Sequence, residues 1–446
     1  VLKVADPATT ALKVEAGTLS VSPLYARASI YHLDAARADT VDWTLTDGKK
    51  LVSAWRDTEN PDYSFKPTTW RKPKYDESRL IRAPYVTDNV VGDLPMIDFG
   101  TFADVNHPDG WGASIEGSPT ISADDGLHDV FIAWQDYPEV KNYSYSYPDT
   151  PFAGPSFFGF QYHWNRGKGG NGVGFSIHAT GCPYNMVYPY DTGRVYLDGV
   201  EVKGNDHPVP DGVHVLAQRV DTTDGKPGTP LQSIGGNWMD YVKTAEGTNR
   251  VQGVFGGCMV GEVLMFREYV SDSYRARISG ALCGKWRNAT NIWEYASVEV
   301  AAGTTLDCPY TDLVIDTFKV AGRTSARSVK ATTLEIAGAA PVLDCALELP
   351  EGGTVVVAGD AENGFPCLTA TSAVITGAGE VTVICDNPFA FIGQEYKIVS
   401  AASVTSSVAR WPVSSSLGDG VSAHLTIKSD GLYLRFEPGG TTIIIK

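Results

Sequence analysis

Apolar and polar side chains alternate along many short stretches of this chain, and sustained helical periodicity is scarce. Residues Gly261-Glu262-Val263-Leu264-Met265-Phe266 alternate across a pleat and suit a half-buried strand. Just after them, Ser271 offers a hydroxyl cap, Asp272 lies in the first turn, and Tyr274, Ile278, Ala281 and Leu282 recur at helical spacing. One short helix is therefore predicted, ending at Gly284. Residues 94–99 (LPMIDF) and 128–134 (HDVFIAW) read as strands, and the Asp198-Gly199 pair within GRVYLDGVEV predicts a hairpin whose turn sets its register.

The ends of the chain have a different texture. Residues 1–21 contain LKV and then LKVEAGTLSV, two alternating stretches. After Tyr295 small and β-branched residues dominate, and Thr305-Leu306-Asp307-Cys308 is echoed by Val342-Leu343-Asp344-Cys345. Strand-turn units recur there as VEVAAGTTL, LEIAGAAPVL, GGTVVVAGD and VITGAGEVTVICD. Rungs that each bury a face against the next produce such a pattern. The expected division is an N-terminal strand segment over 1–27, a central domain over 28–296, and a repeat-like β module, solenoid or sandwich, over 297–446.

Composition narrows the functional classes. With 446 residues, 46 glycines and 11% aromatics, the chain has room for two or three all-β domains. A net charge of −16 repels nucleic acid and anionic membrane, so neither is an expected partner. No apolar run reaches the ~20 residues of a membrane span, and membrane insertion is not expected. The chain begins at Val1 without methionine or a signal segment, which reads as a mature or trimmed fragment. Seven cysteines lack any C-x-x-C spacing, so no thiolate zinc site is predicted, and single buried thiols are favoured over a disulfide framework.

Several signatures carry a resemblance. The opening YHLDAA with VSAWRD, the internal VYLDGVEV with DGVHVLAQRV, and the closing GEVLMF, Ser271-Asp272-x-x-Arg275 and Lys285-Trp286 together resemble the laminin-G-like, concanavalin A-like jelly rolls of large bacterial surface proteins. The resemblance implies two antiparallel sheets packed face to face. Residues 1–21 resemble the last rung of an autotransporter-associated β-solenoid repeat, or else form an edge strand. The ending GLYLRFEPGGTTIIIK resembles the C-termini of secreted proteins from the same kind of bacteria. The fold class expected is thus all-β, a jelly-roll sandwich followed by a β-solenoid-like or β-sandwich module.

Chemistry is concentrated in the stretch 137–174. Tyr143, Tyr145 and Tyr147 share a face if extended, and Tyr162, His163, Trp164 and Arg166 follow. Flat rings with polar edges stack on pyranose C–H faces, so these residues are the candidate glycan site; the same rings would equally pack a long loop against the domain. Gln161-Tyr162-His163 resembles the Gln-x-His pair of jelly-roll polysaccharide lyases, but the arginine- and tyrosine-bearing partner motifs are missing. Glu116, Asp124, Asp125, Asp136 and Glu139 are available acids, yet the Glu-x-Asp-x-x-Glu pattern of jelly-roll glucanases does not occur. Asp104, Asn106 and Asp109, or Asp124, Asp125 and Asp129, are candidate calcium ligands, with turn formation the competing role. His32 and His214 sit in apparent strands and read as structural.

Three functions follow as expectations. The first is a secreted or cell-surface bacterial adhesin recognising a glycan or another surface ligand, with no catalytic signature. The second is a self-assembling extracellular subunit pairing through LKVEAGTLSV and GGTTIIIK. The third is a polysaccharide-degrading enzyme.

Overall fold

The computed structural model describes residues 11–14, 18–20, 29–58, 60–67, 81–100, 112–113, 115–118, 129–136, 156–159, 173–177, 183–187, 194–202, 210–219, 233–234, 236–243, 249–255, 258–266, 270–413, 417 and 420–439. The regular structure is almost wholly β, with one α-helix among the described residues. The chain divides into two compact units, Pro23–Ala289 and the pair of segments Val1–Ser22 and Thr290–Lys446.

In the Pro23–Ala289 unit the organising strand is Cys258–Phe266, buried over nearly all its length. It pairs antiparallel with Asp129–Asp136 on one side, and with Ser29–Asp34 and Leu94–Asp98 on the other. The Asp-Gly hairpin forms as its sequence predicts, with Asp198 and Gly199 at φ 53 and 85 between strands Arg194–Leu197 and Val200–Val202. Tyr31, Phe65, Phe99, Phe131, Trp134 and Phe266 are buried in its core.

Helix α1, Asp272–Trp286, follows the central strand, and the Ser271 hydroxyl accepts from the Tyr274 N–H at 3.2 Å. It does not stop at Gly284 but runs two residues further. The cost of a helical glycine, about 1 kcal/mol, is outweighed because the last two residues, Lys285 and Trp286, are both anchored on Glu262.

The second unit is built on a parallel ladder. Leu12, Val298, Phe318, Leu334, Val355 and Val381 lie opposite one another on successive turns of the chain, and all are buried. A strand that alternates every second residue into this column buries one face and leaves the other in water, as in the strict alternation of Val342–Leu349. Outside, Lys13, Glu299, Lys319 and Glu335 form a column of alternating sign, with Glu299 3.9 Å from Lys13 and 3.2 Å from Lys319. The echoed tetrapeptides occupy equivalent places: Leu306 and Leu343 both pair with Thr324. Toward the C-terminus the direction changes, and Glu395–Ala401, Gly431–Pro438, Val421–Lys428 and Arg410–Pro412 pair antiparallel. There Phe365, Phe391, Tyr396 and Phe436 gather with ring centroids 5.0 to 6.4 Å apart.

The N-terminal strands belong to this ladder. Ala11–Val14 and Thr18–Ser20 pair parallel with Ile292–Val300 and Thr305–Val320. Ala11 lies opposite Ser297, an offset of 286 residues. The unit Pro23–Ala289 accounts for 267 of these. The remaining 19 fall between the 20 residues from Ile292 to Asp312 and the 18 from Thr305 to Arg323. In chain connectivity the first unit is an insertion between parallel-paired strands of the second.

Candidate functional site

The densest polar constellation among the described residues is a sealed cluster that joins the opening and closing signatures of the inserted unit. Ser29–Asp34 contributes His32 and Asp34, the central strand contributes Glu262, and α1 contributes Lys285 and Trp286. All five are buried, Glu262 completely. An acid in the middle of an apolar strand is tolerable only when its oxygens are filled. Glu262 Oε1 accepts from His32 Nε2 at 2.8 Å, and Oε2 accepts from Lys285 Nζ at 2.7 Å and Trp286 Nε1 at 2.8 Å. Lys285 Nζ also donates to Asp34 Oδ2 at 2.6 Å, and the Ala36 N–H donates to Asp34 Oδ1 at 3.0 Å. The Glu262 carboxylate only accepts, so His32 carries a proton on Nε2, and its Nδ1 is hydrogen-bonded to Thr58 Oγ1 at 2.8 Å.

Packing fixes the geometry. A Cβ on Gly261 would fall 2.7 Å from the Trp286 ring, so only glycine lets the indole lie against the strand beside Glu262. Burial raises the Asp34 carboxyl above the usual range, and the nearby Glu262 charge adds to it. Burial also acts to raise Glu262, but the Lys285 ammonium and the His32 bond outweigh it and hold that carboxyl down to about 2. Burial would lower Lys285, whereas the two carboxylates raise it well above the ordinary lysine range.

His32, Asp34 and Glu262 bring potential metal-binding atoms within 4.8 Å of one another. The donor set does not fit an ion: the Lys285 ammonium already holds the cationic position between the two carboxylates, and the remaining oxygens and the His32 Nε2 proton are engaged internally.

A second cluster centres on Asp198. Its Oδ2 lies 2.8 Å from both His214 Nδ1 and an Arg287 nitrogen, and Oδ1 accepts from the Val215 N–H at 2.9 Å. Cys283 Sγ is 4.0 Å from Oδ1. Burial pushes the Cys283 thiol up to about 11, which removes it as a nucleophile near neutral pH. Cys258, Cys283, Cys308, Cys345, Cys367 and Cys385 are free thiols.

The candidate glycan residues Tyr143, Tyr145, Tyr147, Tyr162, His163, Trp164 and Arg166, and the candidate calcium ligands Asp104, Asn106, Asp109, Asp124 and Asp125, lie outside the described residues. Asp129 is described and fully buried, its carboxylate accepting from the Val270 N–H at 2.8 Å. His32 and His214 are both buried and hydrogen-bonded. Sequence reasoning placed Asp34, Glu262 and Lys285 within the signatures of the resemblance but gave them no site role, although each is a charge set among apolar neighbours, and such charges call for partners. No helix among the described residues is long and apolar enough to cross a membrane.

No protein-family model, curated protein or solved structure matches this chain.

Proposed function

We propose that this is a non-catalytic surface-binding protein in which a laminin-G-like jelly roll, Pro23–Ala289, recognises a glycan and is carried on a β-solenoid-like stack that serves as spacer. The observation that carries this reading is the insertion itself: subtracting the 267-residue unit restores the spacing of the neighbouring turns. A repetitive stack interrupted by one whole domain, with pairing register kept on both sides, is the arrangement of a displayed module on a scaffold. Glycan as the ligand class rests on the aromatic stretch 143–166 and its capacity to stack on pyranose faces. An extracellular or bacterial cell-surface location follows from the same reading.

A glycan array and polysaccharide pulldown on the intact chain tests it, with a Tyr145→Ala, Trp164→Ala double variant beside it. Binding by the intact chain that is lost in the double variant supports both the class and the place. Absence of binding by the intact chain rejects the glycan form.

One observation favours self-assembly as a second reading. Ala11–Val14 and Thr18–Ser20, from the N-terminal stretch, form strands that pair parallel with Ile292–Val300 and Thr305–Val320. The same kind of pairing between copies would join chains by strand addition. Concentration-dependent association in analytical ultracentrifugation would move the weight to this reading.

A further inference from the structure

We propose that Lys285 and Asp34 become joined by an intramolecular amide bond in the folded chain, with Glu262 relaying the protons. The three groups stand as reactants. Lys285 Nζ lies 2.6 Å from Asp34 Oδ2 and 2.7 Å from Glu262 Oε2. The other Asp34 oxygen, Oδ1, accepts from the Ala36 N–H at 3.0 Å. That donor is aimed at the oxygen on which charge collects when an amine adds to the carboxyl carbon. His32 holds the far Glu262 oxygen, Oε1, while Trp286 donates to Oε2, the oxygen that faces Lys285.

The step balances without a co-reactant. Glu262 takes a proton from the Lys285 ammonium, and the freed amine forms a bond to Asp34 Cγ while Oδ1 takes up the charge. The Cγ–Oδ2 bond then breaks. Both protons lost by the nitrogen pass through Glu262 to the departing oxygen, which leaves as water, and Glu262 ends unchanged. An ammonium and a carboxylate have become a neutral amide.

Two features favour it. The groups are fixed side by side in a sealed site, and well-oriented intramolecular reactions reach effective concentrations of about 10⁵ to 10⁸ M. The product removes two buried charges whose desolvation opposes folding, against the loss of the Lys285 charge beside Glu262, which keeps its His32 and Trp286 donors. Burial also favours the neutral form of Asp34. The lowered Glu262 and the raised Lys285 both work the other way, so the reaction waits on proton transfer and belongs to slow maturation after folding. Asp34 and Lys285 are 251 residues apart, and the bond would close almost the whole inserted unit into one covalent loop, as a disulfide does elsewhere. The inference does not depend on which ligand the unit binds.

Denaturing intact-mass spectrometry of the aged full chain, followed by tandem spectrometry of its digest, tests the proposal. The expected result is a mass about 18 Da below that of the sequence, one water, and a branched peptide linking the Asp34 and Lys285 segments. Asp34→Ala, Lys285→Met and Glu262→Gln should all remain at sequence mass. A wild-type chain at sequence mass overturns the proposal. So does a water loss mapped to an Asp-Gly succinimide, such as Asp47-Gly48, with no branched peptide. The wild-type digest decides the matter even if every variant fails to fold.

Discussion

Glu262 anchors the buried polar cluster of the inserted unit, because three side chains from two elements converge on it. Removing one member of a buried ion pair leaves an uncompensated charge and costs about 3–5 kcal/mol. Glu262→Ala is therefore expected to destabilise this unit by that order, read by denaturant unfolding. The acid response has a defined sign. Glu262 is held down to about 2 from the ordinary 4.5, so its contribution is complete above the unfolded value and is lost as pH falls from 4.5 toward 2. Asp34, raised by burial, acts in the opposite sense, contributing when protonated. The stability gap between wild type and Glu262→Gln should accordingly shrink across that acid window. A gap independent of pH would contradict the ionic account of the cluster. Once Lys285 is acylated its charge is gone, and the window narrows.

Among the elements, the strand Cys258–Phe266 and helix α1 were legible because their signals are local: strand-favouring residues, a serine cap and helical spacing within 30 residues. The strand expected to be half-buried is instead buried on both faces, as a central strand paired on both sides. The Asp198-Gly199 hairpin was legible for the same reason, since a turn fixes its own register. The helix end was misread because Gly284 was weighed by propensity alone, while the anchor that extends α1 comes from Glu262 on another element. The charged cluster was hidden because its members come from positions 32, 34, 262 and 285, and no local pattern pairs an acid with a lysine 251 residues away. The parallel register of Ala11–Val14 with residues near 297 was hidden by the 286-residue offset. Two substitutions probe the elements separately. Gly261→Ala places a methyl 2.7 Å from the Trp286 ring and should lower stability by about 1–3 kcal/mol. Leu334→Ala, in the fully buried column of the parallel ladder, should cost about 2–5 kcal/mol. Thermal melts monitored by near-ultraviolet dichroism check both, and an unchanged melting temperature in either would contradict the packing described.

Across the whole molecule, one compact unit interrupts the chain of the other. Each unit buries its own core, so each should unfold cooperatively by itself. Calorimetry of the full chain is expected to show two transitions. A variant in which a short Gly/Ser linker replaces Pro23–Ala289 should retain only the one belonging to the parallel ladder. Under the proposed function recognition lies in the inserted unit and support in the ladder, and the most direct test is polysaccharide binding by the full chain measured beside this excised variant. Binding by the full chain and none by the excised, folded variant is the predicted result. Equal binding by both would contradict it, because recognition would then reside in the ladder.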